Sequence, residues 1–532
     1  MLDYPISEAE IRVDSNYTFI LRSRVEEEKL CHYLEYASGL QKIVKGKIII
    51  DDNVNIDDYC LNVQDETLES KAYIILKDNY LKVFQKLFLV DDLYYEVTDS
   101  AVVISNSITT FGHKEICYES TKAFIDNGIL PPRKTIFEGI NRIEPGELVK
   151  VEALDGSIAH SSKWLTPYWL EYIENNSREI LENKTLTDLI QSSIKESLVV
   201  KRPDKLSVLL SGGLDSGIIA FELQREKSIV DKISLTAWYD TEEGKNELQT
   251  ADLRSKRFGF SHFPVLFNSK LFNEALEESF SEIDYPISDP PAILERFLVA
   301  EAMKRDSIYV FSGELADTLF GGGNTFAFER YVGFLRLFKH LIKMKSPDES
   351  YNRKIDAATS FGNAFDRQMC IWLNTNAESQ IYEGFKELGS RVEDRLRLVS
   401  SFQLFTVRTQ IDHSKIHLAK KGRDVFYSVP FENMRIAEYA LALPARLKVH
   451  NLRNKYLLRH LYSKHLPGKK KKQSYSPPVY LWLDAKYIKS GYFPLNEDPV
   501  RYGKRGPEFG DRIWRHYILN RWYSEKYVGR RV

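Results

Sequence analysis

The stretch KLSVLLSGGLDSGIIAFELQRE, residues 205–226, decides how the second half of this chain folds. KLSVLL is a short apolar run, which is typical of a strand buried on both faces of a parallel sheet. GIIAFELQRE has the composition of a helix, and SGGLDS joins the end of the strand directly to the first helical turn. The stretch therefore predicts an α/β unit with a glycine-rich turn at the exit of a strand.

This turn, residues 211–216, predicts an anion-binding loop. Its glycines permit positive φ and a close approach of the backbone to a ligand, and the following helix directs its free N–H groups toward the same point. The hydroxyls of Ser211 and Ser216 can add donors. Asp215 by itself would repel a phosphate, so it favours a divalent cation between the carboxylate and the phosphates. A plain strand–helix turn capped by serines is the alternative.

A second acidic turn lies in SIYVFSGELADTLFGGG, where the predicted strand 307–314 ends. Glu314 and Asp317 stand three residues apart there. Ligands collect at the carboxyl ends of parallel strands. Asp317 is therefore expected to be the second oxygen ligand of the Mg²⁺ that Asp215 holds, and Glu314 to face a reacting carboxyl or amine. An exposed loop with solvated acids is the alternative.

One lysine is a candidate catalytic residue in the helical segment 437–467, which has a break at Pro444. Lys455 and Arg459 are four residues apart and are predicted to share a helix face. A cation that faces an ATP site would stabilise charge on the phosphates or on a tetrahedral intermediate. A solvated surface charge is the more common role of a lysine on a helix.

The rest of the chain predicts an α/β, multidomain fold. An antiparallel, layered N-terminal domain is expected at 1–165, because runs rich in Ile, Val, Phe and Tyr alternate there with Asp, Asn and Gly. A parallel-sheet domain with many helices is expected at 185–530, and residues 160–185 resemble a linker. The predicted strands are 12–23, 45–52, 71–78, 82–97, 98–108, a hairpin at 144–157, 205–210, 233–240 and 307–314; the predicted helices are 183–200, 246–259 and most of 325–465.

Composition excludes several classes of protein. The chain has 532 residues, with 74 Lys+Arg against 75 Asp+Glu, and this balance argues against a protein that coats nucleic acid. No apolar run is long enough to span a membrane, and the first residues lack the apolar core of a secretory signal. Four widely spaced cysteines predict neither a disulfide framework nor a Cys-rich zinc module, so a cytoplasmic location is expected.

The order of these motifs resembles the synthetase domain of class B asparagine synthetases, whose phosphate loop is that of the N-type ATP pyrophosphatases. SGGLDS, SGELADTLFGG, SVPFEN and NKYLLR are similar to the family's SGGLDS, GEGSDELFGG, RVPFLD and EKxxLR patterns, within residues 185–530. The chain departs from the family at Leu315, which replaces Gly, at Thr318, which replaces Glu, and at residues 431–433, which replace the family's FLD.

The resemblance implies ATP and Mg²⁺ as ligands, and it implies roles for the site residues. Lys455 would be the catalytic lysine that stabilises the transition state, and Glu314 would be the catalytic acidic residue of the GEGSD motif. Asp215 and Asp317 would hold the Mg²⁺. The residues that would bind the pyrophosphate part of ATP are Ser211, Gly212, Gly213, Leu214, Asp215 and Ser216.

The N-terminal half resembles the family's glutaminase domain, in a degenerate form. LFLVDDLYYEVTDSAVVISNSITTF and GILPPRKTIFEGINRIEPGELVKVE are similar to two stretches of that domain. In the family the nucleophile is a Cys after the initiator Met, and its own α-amino group serves as the base. Here Leu2 follows Met1, the first cysteine is Cys31, and Asp91–Asp92 stand without the family's arginine. We therefore expect no glutamine hydrolysis and an amine from another source.

The sequence predicts an ATP-dependent, AMP-forming carbon–nitrogen ligase. Lasso peptide cyclases and β-lactam synthetases are relatives with the same degeneracy, and the favoured hypothesis is a lasso-type peptide macrocyclase of antibiotic biosynthesis. An ammonia-dependent asparagine synthetase, or another small-molecule amide synthetase, is the alternative. A non-catalytic scaffold and a tRNA-modifying pyrophosphatase are the other hypotheses. The expected partners are a small-molecule or peptide substrate, a leader-peptide-binding protein and a protease, with no membrane and no nucleic acid.

Overall fold

A computed structural model describes the chain with several gaps. The described residues are the strands between 5 and 36, the strands between 72 and 85, residues 93–322 and 408–468 with short gaps, parts of 396–404, positions 479, 482, 483 and 493, and residues 507–528. The predicted strand at 45–52 and the predicted helices between 325 and 395 lie outside them. None of the helices in the described part combines the length and the apolar character that a membrane span requires.

The N-terminal residues form two antiparallel sheets, as predicted. Their strands are β1 (Pro5–Ile6), β2 (Ala9–Arg12), β3 (Phe19–Glu26), β4 (Lys29–Tyr36), β5 (Ala72–Lys77), β6 (Tyr80–Gln85), β7 (Tyr94–Val97), β8 (Ala101–Ser105), β9 (Asn141–Arg142), β10 (Glu147–Leu154) and β11 (Ser157–Trp164). The described strand orders are β1-β4-β3-β8-β7-β9 and β11-β10-β6-β5-β2. Leu21, Val83 and Ile104 share one buried cluster, so the two sheets pack face to face.

The hairpin predicted around residues 155–156 is present. Strands β10 and β11 pair in antiparallel register from Glu147 opposite Trp164 to Leu154 opposite Ser157. That register leaves a connection of two residues, which is the shortest common hairpin loop. The two loop residues themselves lie outside the described part.

The C-terminal half contains a parallel sheet, which the sequence predicted only in part. Its strands are β12 (Lys205–Leu209), β13 (Asp231–Trp238), β14 (Ser261–Leu266), β15 (Tyr309–Phe311) and β16 (Phe426–Ser428). Their order is β14-β13-β12-β15-β16, and every pairing is parallel. Strands β14 and β16 were not predicted, because β14 contains Pro264, which suits only an edge strand, and β16 has only three residues.

The strand order creates a crevice at the centre of this sheet. From β12 the chain proceeds to β13 and β14 on one side, and then crosses to β15 and β16 on the other. Adjacent loops at the carboxyl ends of β12 and β15 therefore lead away in opposite directions, and ligands bind at such a switch point. The two predicted site turns, residues 211–216 and 312–317, follow β12 and β15.

Helices cover the sheet and complete the described fold. Several of them agree with the predictions, including the helix after SGGLDS and the one that ends before Gly259. They are α1 (Tyr118–Asn127), α2 (Thr166–Asn175), α3 (Ser177–Asn183), α4 (Leu186–Val199), α5 (Leu214–Leu223), α6 (Glu242–Phe258), α7 (Ser269–Phe280), α8 (Pro291–Met303), α9 (Ala316–Phe320), α10 (Arg408–Lys420), α11 (Met434–Ala442), α12 (Ala445–Lys448), α13 (Tyr456–Tyr462) and α14 (Pro507–Tyr523).

The linker predicted at 160–185 is wrong. Strand β11 continues to Trp164, and helices α2 and α3 follow. Trp169 and Ile173, four residues apart in α2, are buried in the core, and the indole N–H of Trp169 donates to Glu438 at 3.1 Å. Aromatic residues that suggested a linker instead form the apolar face of a helix.

The two halves share one hydrophobic core. Trp514 and Trp522 on α14 are fully buried, and Trp522 lies 6.2 Å from the ring of Phe137 in the N-terminal half. The indole N–H of Trp514 donates to the carbonyl of Ile287 at 2.7 Å. Helix α14 thus packs the antiparallel half against the loop that leads into α8, next to the crevice. The proposed boundaries at 165 and 185 stay a prediction.

Lys448 gives a prediction about stability. Its side chain is buried and its Nζ donates to Ser400 Oγ at 3.0 Å; burial, together with nearby Arg397, lowers its pKa to about 7. The same lysine in the unfolded chain has a pKa of about 10.4, so between about pH 7 and 10 the unfolded state binds a proton that the folded state lacks. Stability contributed by this site should therefore rise with pH over that interval.

Lys448→Met should raise the urea midpoint at neutral pH and remove that rise. Urea unfolding of both proteins at several pH values measures the two effects. Parallel pH profiles for the wild type and the variant would contradict the assignment.

Candidate active site at the central crevice

Most of the sequence-predicted site residues line one cavity at the carboxyl edge of the parallel sheet: Ser211, Gly213, Asp215, Ser216, Glu314 and Asp317 do, whereas Gly212, Leu214 and Lys455 are not among its lining residues. Its volume is about 330 Å³, and residues of both acidic turns line it. Strands β12 and β15 are in direct register, with Val208 opposite Phe311, so the turns that follow them lie side by side. The cavity therefore occupies the crevice that the strand order predicts.

The SGGLDS loop is closed on itself by short hydrogen bonds. The N–H of Ser211 donates to Ser216 Oγ at 3.1 Å, the N–H of Gly213 donates to Ser211 Oγ at 3.0 Å, and the two hydroxyls lie 3.0 Å apart. Gly213 is the N-cap of α5, and no side chain caps the first turn of this helix. Helix N–H groups without a cap form an anion-binding site, so the loop suits a phosphate group.

Gly313 lets the second turn pack tightly against the first. A Cβ at this position would come within 2.6 Å of the backbone N of Ser216 and 2.7 Å of the backbone C of Asp215. A residue with a side chain would push the turns apart. Gly313 therefore fixes the separation of the two acidic turns.

One ammonium group joins the two predicted metal ligands. Lys455 Nζ lies 2.5 Å from Asp215 Oδ2 and 2.6 Å from Asp317 Oδ1. The lysine is 3% exposed and Asp215 is 8% exposed. Two carboxylates this close together repel each other strongly when they are shielded from water, and the ammonium between them offsets the repulsion. Three residues that the sequence singled out separately are thus in direct contact.

The prediction that Lys455 lies on a helix face is wrong. Lys455 precedes α13 as its N-cap, in the left-handed conformation with φ of +53°. A turn between His450 and Arg453 comes just before it and separates it from α12. Arg459 does lie on α13, but its Nε donates to the backbone oxygen of Asn454 at 2.8 Å. The lysine therefore reaches the carboxylates from a turn, without Arg459 beside it.

The donor set fits a magnesium ion that is shared with phosphates. Asp215 Oδ1 is buried and has no hydrogen-bond partner among the described residues. In the described part of the chain, no group of three or more His, Cys, Asp or Glu side chains could hold a metal by itself. Mg²⁺ commonly uses one or two carboxylates and completes its octahedron with phosphates and water. Asp215 and Asp317 would hold the ion, which would neutralise charge on the phosphates.

Arg254 stabilises the SGGLDS loop through its backbone, and the sequence analysis did not identify this arginine. From α6 its guanidinium donates to the backbone oxygen of Gly213 and, at 3.1 Å, to that of Pro467. Burial lowers its pKa to about 10, against the opposing effect of Asp215 and Glu247, so it remains a cation at neutral pH. The helix was predicted from its periodicity, but periodicity gives no sign that one of its arginines is buried under a loop.

One part of the cavity lining, called the acidic end below, carries mainly carboxylates. Its acidic residues are Glu314, Asp289, Glu295 and Asp511. Lys415, a buried cation on α10, lies there too: its Nζ is 3.2 Å from Asp289 Oδ2 and 3.5 Å from Glu314 Oε1. An excess of carboxylates favours a ligand that carries an amine.

Sequence reasoning missed most of this acidic end. Asp289 stands before two prolines in ISDPPAI, which marks the start of α8, and that signal locates a helix terminus without giving it a role. Lys415 stands in an ordinary polar helix, and only the packing of α10 against α8 brings it to the cavity.

The residues that depart from the family pattern have structural explanations. Leu315 has φ of +68°, so the backbone keeps a conformation that favours glycine while the leucine side chain packs in the core. Phe431 is fully buried, and Asn433 caps α11 by accepting a hydrogen bond from a backbone N–H at 3.0 Å. Thr318 lines the cavity, and its hydroxyl is buried with no hydrogen-bond partner among the described residues.

Comparison with known proteins identifies the family of this chain. The asparagine synthase family model matches residues 185–499, and the chain belongs to this family. The matched region includes both acidic turns and Lys455. The resemblance inferred from the motifs is therefore confirmed at the level of the family.

Relatives of known name are distant. A Bacillus subtilis protein named asparagine synthetase (glutamine-hydrolysing) 1 is 23% identical over 430 residues, which are 74% of this chain and 65% of that protein. A Mycobacterium bovis protein, provisionally named an asparagine synthetase (glutamine-hydrolysing), is 24% identical over 388 residues, 67% of this chain and 57% of the relative. The mouse asparagine synthetase (glutamine-hydrolysing) is 32% identical over 157 residues, 29% of this chain and 26% of the mouse protein. The chain thus spans less than two thirds of the length of these relatives.

Gly313→Ala tests the contact between the two turns. The new methyl group would displace the backbone of residues 215–216, so we expect binding of Mg-ATP to weaken by about tenfold or more. Isothermal titration measures the change. Gly259→Ala is the matched control. Gly259 follows the end of α6 with φ of +76°, and a Cβ there would meet no other atom. The substitution should therefore cost about 1 kcal/mol of stability without changing nucleotide affinity. Equal affinities for the two variants would contradict the role of Gly313.

Proposed function

We propose that this chain is an amide-bond-forming ligase that adenylates a carboxylate with ATP and releases AMP and pyrophosphate. The observation that carries the proposal is the contact of Lys455 with both Asp215 and Asp317 beside the SGGLDS loop. One site thereby contains an anion cradle, two carboxylates for a metal ion and a cation for phosphate charge. Adenylation needs this combination, because negative charge develops on the phosphates as pyrophosphate leaves.

The first step activates the carboxylate. A carboxylate oxygen of the substrate attacks the α-phosphorus of ATP, the bond from that phosphorus to the bridging oxygen breaks, and pyrophosphate leaves with the bonding electrons. The loop 211–216 binds the pyrophosphate through backbone N–H groups and the hydroxyls of Ser211 and Ser216. Lys455 stabilises the charge that builds up on the departing phosphates. The acid has then become a mixed anhydride with AMP, which has a good leaving group.

The second step forms the amide. An amine attacks the acyl carbon, loses a proton, and AMP leaves as the carbon–oxygen bond breaks. Glu314 lines the cavity and is the candidate to orient the amine or to accept its proton. Lys415, 3.5 Å from Glu314 Oε1, holds this carboxylate in place. The surrounding Asp289, Glu295 and Asp511 would attract a protonated amine.

The amine is proposed to belong to the substrate. Cys31 lies inside β4, opposite Arg24, and Cys117 is buried before α1, so neither of these cysteines offers the terminal amine that the family's glutaminase chemistry needs. An amine and a carboxylate on one peptide would give a macrocycle, as in lasso-type cyclases. A leader-peptide-binding protein and a leader protease would then be partners, and the N-terminal half would be a degenerate glutaminase domain.

The second candidate is an ammonia-dependent asparagine synthetase. Two observations favour it: Glu314 stands where the family has the acidic residue of its GEGSD motif, and the named relatives are asparagine synthetases. Its acceptor would be free ammonia and its acid would be aspartate. The two candidates share the adenylation step and differ only in the amine.

Asp215→Asn and Asp317→Asn should each abolish adenylation. Each change removes a negative charge from the metal site, and we expect a loss of at least about 100-fold. Exchange of labelled pyrophosphate into ATP, in the presence of aspartate, glutamate or peptides with a free amine and a side-chain carboxyl, measures the step. Asp252→Asn changes a half-exposed aspartate on α6 that is paired with Lys256; it is the matched control and should exchange normally. Normal exchange in either site variant would refute the metal assignment.

The identity of the amine is tested with the wild-type protein. We expect AMP release with a peptide that carries both reacting groups, with loss of one water from its mass, and no release of glutamate from added glutamine. Mass spectrometry and a glutamate assay measure these results. Steady AMP release with aspartate and ammonium and no peptide would reject the cyclase in favour of the asparagine synthetase, and release of glutamate would show that the N-terminal half is an active glutaminase.

A further inference from the structure

Lys455 occupies the place between the two carboxylates where a metal ion would sit. Its Nζ is within 2.6 Å of an oxygen from each aspartate. Mg²⁺ binds oxygen at about 2.0–2.1 Å, so an ion held by the same two oxygens would take nearly the same position. An ammonium group and a divalent cation cannot share it, because they are like charges that need the same atoms.

From this we propose that the Lys455 ammonium and the divalent metal ion exchange places, and that the nucleotide drives the exchange. The inference rests on the proposed nucleotide site. Without nucleotide, the ammonium neutralises Asp215 and Asp317 and opposes metal binding. When ATP binds, its phosphates receive the ammonium, and the metal ion takes over the two carboxylates. Metal and nucleotide therefore bind with positive coupling, and each increases the affinity for the other to the same degree.

The surroundings of Lys455 allow its side chain to move while its backbone stays fixed. Its carbonyl accepts a hydrogen bond from the N–H of Arg459 at 2.9 Å, and its N–H donates to the carbonyl of Gly321. Gly322 leaves the space that the side chain uses, since a Cβ there would overlap Lys455 Cε and Asp317 Oδ1. The buried Oδ1 of Asp215, which has no hydrogen-bond partner among the described residues, is a further oxygen available to an incoming metal ion.

Other charges near the loop do not make the same exchange. Arg254 binds the backbone oxygens of Gly213 and Pro467, so it stays in place whether or not a metal ion is bound. Lys415 lies between Asp289 and Glu314 at the acidic end of the cavity. Among the described residues, Lys455 is thus the cation that contacts both candidate metal ligands.

The test measures Mn²⁺ binding to the full chain without nucleotide, by the electron paramagnetic resonance signal of free Mn²⁺. Lys455→Met keeps an unbranched side chain, one atom shorter, and removes the charge, so we expect it to bind Mn²⁺ about tenfold more tightly than the wild type, as for other coupled sites. Lys232→Met removes a buried charge that donates to the backbone oxygens of Gln224 and Glu226, away from the cavity, and should change the affinity by less than about threefold. With α,β-methylene-ATP present, the advantage of Lys455→Met should disappear.

Equal or weaker Mn²⁺ binding by Lys455→Met would overturn the exchange, and an equal gain in Lys232→Met would reduce it to a general effect of charge. If Lys455→Met is poorly folded without metal, thermal unfolding of Lys455→Gln replaces the binding measurement. Mn²⁺ should then raise the melting temperature of that variant more than that of the wild type, and the opposite order would also overturn the proposal. Pyrophosphate exchange by the wild type tests the ligase separately, so failure of one proposal leaves the other measurable.

Discussion

The site depends on one electrostatic constraint: two carboxylates, held side by side by the sheet, need a cation between them. Asp215 and Asp317 follow neighbouring parallel strands, and Gly313 brings their turns into backbone contact. The fold thus fixes the two charges close together, and the burial of Asp215 limits the water that would screen them. Lys455 supplies the compensating charge from a separate turn. A place that requires positive charge is suited to a metal ion and, through it, to phosphates.

The charge of the cavity lining differs from one part to another. Near the SGGLDS loop, helix N–H groups, Arg254 and Lys455 provide positive potential for phosphates. Near α8 and α10 the balance reverses, and carboxylates outnumber the single lysine Lys415 among the described lining residues. Both parts of the lining belong to the one crevice at the switch point of the sheet.

The sequence predicted the elements with strong local signals and missed those that depend on packing. The apolar run of β12, the glycines after it and the acidic turn after β15 can each be recognised from the sequence alone. All three lie within the region that the asparagine synthase family model matches. Strand β14 contains a proline and strand β16 is short. Each is stabilised by pairing with a strand that is distant from it in the sequence. Residues 160–185 were taken for a linker because aromatic residues occur in both linkers and helix faces; burial of Trp169 and Ile173 decides between them.

Lys455 lies in a different local structure from the one that its spacing predicted. The spacing predicted that Lys455 lies on a helix face beside Arg459. In the structure Lys455 precedes the helix and has a positive φ, and the Arg459 guanidinium donates to the backbone oxygen of Asn454. The difference matters for function, because an N-cap residue at the end of a turn can aim its side chain across the crevice, away from the helix axis. A lysine on the helix surface would have been drawn to solvent. Its burial between two acids shows that it is not the solvated surface charge that such a lysine commonly represents.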